Sequence, residues 1–162
     1  MFAFVSIPSM KVTKNHYVSF ALGGFFFCLD QYFKYLAHTF PSIRAYLLDP
    51  WLGWEYLANP GIAFSVPFPN ALLIIGTPLI LIGLLAYMGQ KKDRTLSHIY
   101  GTLLIFFGAI SNLIDRIVYG ITIDYIRILT TVMNLADIMI IIGTFLLLFG
   151  GSSTKKEEIL TT

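Results

Sequence analysis

Apolar residues fall into four long runs, covering about 17–37, 68–88, 97–119 and 132–150. Each approaches the roughly 20 residues that a helix needs to cross a bilayer core. The segments between them read differently. Segment 38–67 carries Pro41, Pro50, Pro60 and Pro67, which argue against a long helix, together with Tyr46, Trp51, Trp54 and Tyr56, whose amphipathic rings suit a headgroup region. Short strands or turns on the membrane surface are expected there. Segment 120–131 is short, and Ile121-Thr122-Ile123-Asp124-Tyr125 alternates apolar and polar, the mark of a brief extended stretch. The tail 151–162 is polar and expected to be loose. The pattern predicts an all-α membrane protein, a four-transmembrane-helix bundle, as one domain over residues 1–162.

Composition agrees. The chain is 56% hydrophobic and 12% charged, with a mean hydropathy of +0.74. A soluble domain carries about twice that charged fraction, so too little polar surface exists to cover a water-soluble globule. The net charge of +2 and the absence of a basic patch with interleaved aromatics give no case for nucleic acid. The single cysteine, Cys28, excludes an intrachain disulfide and reads as a small buried apolar side chain. His16, His38 and His98 lie near predicted helix ends and read as interfacial residues, not as metal ligands. The first run follows Lys11 and Lys14 and mimics a signal peptide. It is too long, lacks a small-residue cleavage site and contains Asp30 and Lys34, so it is expected to be retained.

Charge placement sets an expected topology. Lys11 and Lys14 precede the first run, Lys91, Lys92 and Arg94 separate the second and third, and Lys155 and Lys156 follow the fourth. These segments share one side, the cytoplasm, with both termini inside and the loops 38–67 and 120–131 outside. Depth then becomes informative, because ionisable groups inside a span are costly and mark function. Asp30 and Lys34 fall in the outer third of the first span. Asn112, Asp115 and Arg116 lie roughly 22 Å or more along the third from Ser97, at 1.5 Å per residue. Asn134 and Asp137 open the fourth, and Asp124 sits in the loop before it. The second span carries no charge and reads as packing.

Each group has an ordinary reading. Asp30–Lys34 is an i,i+4 ion pair, Asp115–Arg116 an interfacial pair, Asn134–Asp137 a helix cap, and Asp124 a loop acid. Unrelated caps and pairs need not gather at one level, and their convergence points to a site. No histidine or thiol shares that depth. Paired carboxylates do, and Asp124 and Asp137 can meet where the loop joins the fourth span. Two close carboxylates share a proton, so one takes a proton from water while the other donates to a scissile amide. A small transporter or channel and a non-catalytic membrane scaffold remain as alternatives. A conducting path would place polar groups at several depths, and this chain is nearly bare of charge through its inner half.

Five blocks carry a resemblance: Asp30-Gln31-Tyr32-Phe33-Lys34; Asn59-Pro60-Gly61-Ile62-Ala63-Phe64-Ser65; Gly108-Ala109-Ile110-Ser111-Asn112-Leu113-Ile114-Asp115-Arg116; Gly120-Ile121-Thr122-Ile123-Asp124-Tyr125-Ile126; and Asn134-Leu135-Ala136-Asp137. In order and number they make the chain resemble the lipoprotein signal peptidases, also called signal peptidase II. The resemblance implies a four-helix membrane bundle with an outer-face β-cradle. It implies a bacterial inner-membrane enzyme that cleaves prolipoproteins before a diacylglyceryl-modified cysteine at the outer face. The catalytic pair would be Asp124 and Asp137. Asp30, Lys34, Asn59, Gly61, Gly108, Asn112, Asp115, Arg116, Asn134 and Ala136 would form the substrate-binding and supporting shell, with Asp115 orienting Arg116 or nearby backbone. Lipidated prolipoproteins and membrane lipids are the expected partners, no metal or other cofactor is implied, and a monomer is expected. Two positions depart from the pattern: Ser111 stands where the family usually has Gly, and Met133 where it usually has Phe. Both put local packing in doubt more than chemistry.

Overall fold

The computed structural model describes residues 14–62, 66–91 and 93–150. Lys11, Ala63–Ser65, Lys92 and the tail 151–162 with Lys155 and Lys156 lie outside the described residues. Four helices are present: α1 (Lys14–Thr39), α2 (Asn70–Gln90), α3 (Leu96–Tyr119) and α4 (Leu135–Phe149). Between α1 and α2 lie β1 (Arg44–Leu48) and β2 (Leu52–Asn59). Between α3 and α4 lie β3 (Thr122–Ile128) and β4 (Thr131–Met133).

Among the described residues, α2 and α3 are long and apolar enough to cross a membrane. Helix α4 is apolar but has only 15 residues. It starts three residues later than the apolar run, because Val132 and Met133 join β4 and Asn134 caps the helix. Helix α1 has the length, with 26 residues, but is less apolar. All four helices expose large hydrophobic side chains: Phe20 and Phe25 on α1, Leu79 and Ile80 on α2, Ile117 and Val118 on α3, Phe145 and Leu148 on α4. Such an exterior suits lipid and not water. What α1 buries is small or polar: Ser19, Gly23, Asp30, Lys34 and Ala37, spaced along one face. Cys28, expected to be buried, is exposed on the opposite surface, because that face of α1 is turned away from its neighbours.

Glycines set the α3–α4 distance. A Cβ on Gly101 would stand 2.7 Å from the Gly143 carbonyl oxygen, and one on Gly143 would stand 2.6 Å from that of Gly101. Nearer the sheet, a Cβ on Gly108 would meet the Ala136 carbonyl oxygen at 2.6 Å. Small residues let backbones approach where lipid supplies no hydrophobic force between helices. Caps end the elements. Thr95 and His98 form a capping box at the start of α3, where His98 is buried against the protein, and Gly120 closes α3 at φ 73°. A left-handed residue at that place favours glycine.

The four strands form one antiparallel sheet in the order β1-β2-β3-β4. Sequence pattern suggested only short strands in one loop and a brief extended stretch in the other; the structure joins the two. Leu57 pairs with Asp124 and Asn59 with Thr122, so β2 aligns the first loop beside β3. Ala37, Ile123 and Tyr125 form a buried cluster beneath the sheet, with Phe33, Trp54 and Leu135 packed against it. The sheet therefore sits over the end of the bundle where α1 and α3 finish and α4 begins.

Candidate active site

Asp124 lies in β3, one position from two core residues. Side chains alternate along a strand, so packing Ile123 and Tyr125 beneath the sheet turns Asp124 to the other side. Its carboxylate is wholly buried. Asn134 Nδ2 donates to its Oδ1 at 2.7 Å and Asn59 Nδ2 to its Oδ2 at 2.9 Å. Asp137 lies in the first turn of α4. Asn112 Nδ2 donates to its Oδ1 at 2.8 Å, and the Asn134 backbone N–H reaches its Oδ2 at 3.4 Å. Asn134 joins the two acids, since its Oδ1 accepts from the Asp137 N–H at 2.8 Å while its amide nitrogen holds Asp124. The capping box read in the sequence is present and is part of the site.

Both acids line one cavity of about 300 Å³, together with Asn59, Asn112 and Arg116. Its remaining wall is largely apolar and includes Ile62, Ala109, Met133 and Ile140. Thr77 of α2 also lines it. Burial, and next the charge of Asp137, raise the Asp124 carboxyl to about 7, although Asn59, Asn134 and Lys34 pull the other way.

Behind the cavity stands a second cluster. Lys34 Nζ lies 2.9 Å from both Asp30 Oδ2 and Asp115 Oδ2 and donates to Asn112 Oδ1 at 2.8 Å. Asp115 also accepts from the Ile123 backbone N–H at 3.2 Å, tying α3 to β3. Its ion partner is Lys34; adjacent helix positions do not face each other, and Arg116 points elsewhere. The Arg116 guanidinium donates to the Asn112 carbonyl at 3.3 Å and the Gly61 carbonyl at 3.2 Å. Gly61 in turn donates its N–H to Asn59 Oδ1 at 3.0 Å. A Cβ there would fall 2.0 Å from the Val66 carbonyl oxygen, so the loop has room only for glycine. Ala136, fully buried, donates its N–H to Asp30 Oδ1 at 3.1 Å.

Asp30, Lys34, Asn59, Gly61, Gly108, Asn112, Asp115, Arg116, Asp124, Asn134, Ala136 and Asp137 are thus gathered at one end of the molecule. Three residues not singled out from the sequence stand among them. Gln31 Nε2 donates to Ser111 Oγ at 2.7 Å; Ser111 donates to Asp30 Oδ2 at 2.6 Å; Tyr125 donates to Asp30 Oδ1 at 2.9 Å. Gln31 adjoins Asp30 in the first block, and Ser111 was visible only as a departure. Tyr125 carried no signal beyond its aromatic ring. Burial and the Asp30 charge raise the Tyr125 phenol well above its ordinary value, so it stays a proton donor.

A helical protein with a lipid-type exterior, a polar interior and two carboxylates over one cavity is of the class of membrane aspartic hydrolases. Comparison with known proteins makes the class specific. The signal peptidase (SPase) II family matches residues 22–151, and the chain belongs to that family, whose members remove signal peptides from prolipoproteins. A lipoprotein signal peptidase of Chlorobium phaeobacteroides (strain DSM 266) is 34% identical over 157 residues, covering 86% of this chain and 92% of its relative. One from Mesorhizobium japonicum is 38% identical over 133 residues, covering 75% and 77%. A solved structure described as a bacterial membrane enzyme, at 2.3 Å resolution, superposes with a TM-score of 0.77 at 26% identity, covering 87% of this chain and 93% of that one. Family membership sets aside the transporter and scaffold readings.

Proposed function

We propose that this chain is the peptidase that cuts diacylglyceryl-modified prolipoproteins immediately before the lipidated cysteine, with Asp124 and Asp137 as its catalytic pair. The observation that carries the assignment is the shared Asn134, which holds both acids at one cavity. No other pair of carboxylates among the described residues lines it. Asp30 and Asp115 are sealed behind, matched by Lys34.

Hydrogen bonds hold both acids in one network. Lys34 and Asn134 both donate to Asn112 Oδ1, so the Asn112 amide must present its N–H to Asp137. Asp124 accepts likewise from the amides of Asn59 and Asn134, and burial with the neighbouring Asp137 charge raises its carboxyl to about 7. Two such close acids share one proton, and in this reading Asp124 carries it. Asp137 then takes a proton from water as its oxygen attacks the scissile carbonyl carbon. Asp124 gives its proton to the carbonyl oxygen, and protons return through the pair to the leaving nitrogen as the C–N bond breaks. One water is consumed; the products are a signal peptide with a new carboxylate and a lipoprotein with a free α-amine.

The same reading includes four membrane crossings, cytoplasmic termini, a site at the outer face of the bacterial inner membrane and a monomeric enzyme. The short α4 is completed by the capped turn and β4, and the cavity opens among apolar side chains where a substrate's lipid remains in the bilayer. Two measurements test these points. Purified protein in lipid should cleave a diacylglyceryl-modified prolipoprotein and leave its unmodified precursor intact; equal cleavage of both would remove the substrate assignment. Cysteines at Gly53 and Thr162 should label from opposite sides, and labelling from one side would overturn the topology.

A further inference from the structure

Asp30 is buried, far from ordinary solvation, and all of its acceptor capacity is used. Oδ1 accepts from the Tyr125 hydroxyl at 2.9 Å and the Ala136 N–H at 3.1 Å; Oδ2 accepts from Ser111 at 2.6 Å and Lys34 at 2.9 Å. A carboxylate offers about four lone-pair sites. Lys34 is equally committed. Its ammonium has three donors, and Asp30 Oδ2, Asp115 Oδ2 and Asn112 Oδ1 lie 2.9, 2.9 and 2.8 Å away. Asn112 Oδ1 is thereby held, and its N–H is directed at Asp137.

Ser111 and Tyr125 stand at the start of that series. Neither lines the cavity, so neither touches the substrate. We propose that the hydroxyls of Ser111 and Tyr125 are positioning groups for the proposed dyad: they hold Asp30, and through it Lys34 and the Asn112 amide, in the orientation that serves Asp137. Removing either hydroxyl leaves the fully buried Asp30 one donor short. The ammonium is then drawn toward Asp30 at the expense of Asn112, and the amide loses the shorter-held of the two donors, Lys34 and Asn134, that fix which of its ends faces Asp137. Ser111 therefore does more than fill the place of a glycine. It accepts from Gln31 at 2.7 Å and from Lys34 at 3.3 Å and donates to Asp30, which ties both the Asp30 carboxylate and the Lys34 ammonium to α3.

The inference rests on Asp124 and Asp137 being the dyad. It is tested with full-length Tyr125→Phe and Ser111→Ala, each lacking one oxygen, in lipid with a diacylglyceryl-modified prolipoprotein. Each variant should lose about tenfold in kcat, the scale of one hydrogen bond to a charged group, with KM unchanged. The acidic limb of the kcat profile should move to higher pH, because the Asn112 N–H that faces the Asp137 charge is held less firmly. Asp30 and Lys34 on α1, Asp115 and Arg116 on α3 and Asp124 on β3 face this site, and α2 brings no acid or base to it among the described residues. All of those groups persist in both variants, so the limb reports the repositioning. Ser111→Thr, which keeps the hydroxyl, should recover kcat relative to Ser111→Ala. Thermal midpoints of each variant accompany the kinetics. An unchanged kcat and pH profile would overturn the inference, as would a loss that follows the folded fraction alone with the limb in place. Active Asp124→Asn or Asp137→Asn proteins would instead remove the dyad on which it rests.

Discussion

The two ends of the helical bundle are held by different means. At the sheet end, α1, α3 and α4 are joined by polar contacts, with Lys34, Asp30, Asp115, Asn112 and Asn134 all buried. At the far end, α3 and α4 meet through Gly101 and Gly143, with each Cα against the other's carbonyl. A water-soluble protein would bury leucine and isoleucine at both ends. Here many of those residues face outward, as Leu79, Ile80, Ile117 and Leu148 do, and burying them against a neighbour gains little when the solvent is itself apolar. Close backbone approach and interhelical hydrogen bonds take over. The far end uses the first device, which needs no charge. The sheet end uses the second, and its cost is accepted where chemistry needs acids.

Changes at the sheet end should therefore act on turnover, and changes at the far end on stability. The largest effect is expected for the dyad. Asp124→Asn and Asp137→Asn should each lose about a hundred- to ten-thousand-fold in cleavage rate, and the double variant far less than the product of both, because the two act as a unit. Chelators should leave the wild type unaffected. The wild-type rate should fall as pH rises through about 7, where Asp124 gives up its proton. Stability moves with a definite sign. An acid raised in the folded state binds more protons than in the unfolded chain, so the wild type loses stability as pH rises from about 4 to about 7. Asp124→Asn should accordingly be inactive yet melt higher than the wild type at pH 8, with the difference shrinking in acid. Equal melting at both pH values would contradict the buried proton.

Lys34→Met breaks the comparison from the other side, since it attacks stability at the sheet end. Asp30 and Asp115 would remain buried without their shared cation. Removing one partner of a buried ion pair costs about 3–5 kcal/mol, and the thermal midpoint in detergent should drop steeply, with activity lost. Gly143→Val strikes the far end. Its side chain would enter the space 2.6 Å from the Gly101 carbonyl oxygen and 3.0 Å from the Ile105 backbone nitrogen. Overpacking of this kind costs about 1–3 kcal/mol, while the activity of each folded molecule should stay near that of the wild type. A selective loss of kcat would show the two ends to be coupled.

The smallest effect is expected on the open side of the sheet. Glu55 accepts from Arg127 at 2.7 Å and from Tyr46 at 3.2 Å and lies 3.8 Å from Arg44. Glu55→Gln should shift stability by no more than about 1 kcal/mol, as partly exposed ion pairs do, and leave cleavage kinetics alone. A loss comparable to Lys34→Met would mean that the sheet's outer charges belong with the buried cluster.

The sequence by itself determined the helices, the end of the bundle at which polar residues collect and the cap that opens α4. These depend on relations a few residues long: an apolar run, an i,i+4 spacing, an Asn three positions before an Asp. The tertiary structure decided what those residues face. Pairing of Leu57 with Asp124 spans two loops, so no local pattern carries it. Rotation of α1 buries Asp30 and Lys34 while exposing Cys28. Helix packing gives Asp115 to Lys34 instead of Arg116. Ser111 and Tyr125 reach Asp30 across 81 and 95 residues of chain. Rotation and register are set by the sum of distant contacts, and a hydroxyl's partner changes when either shifts.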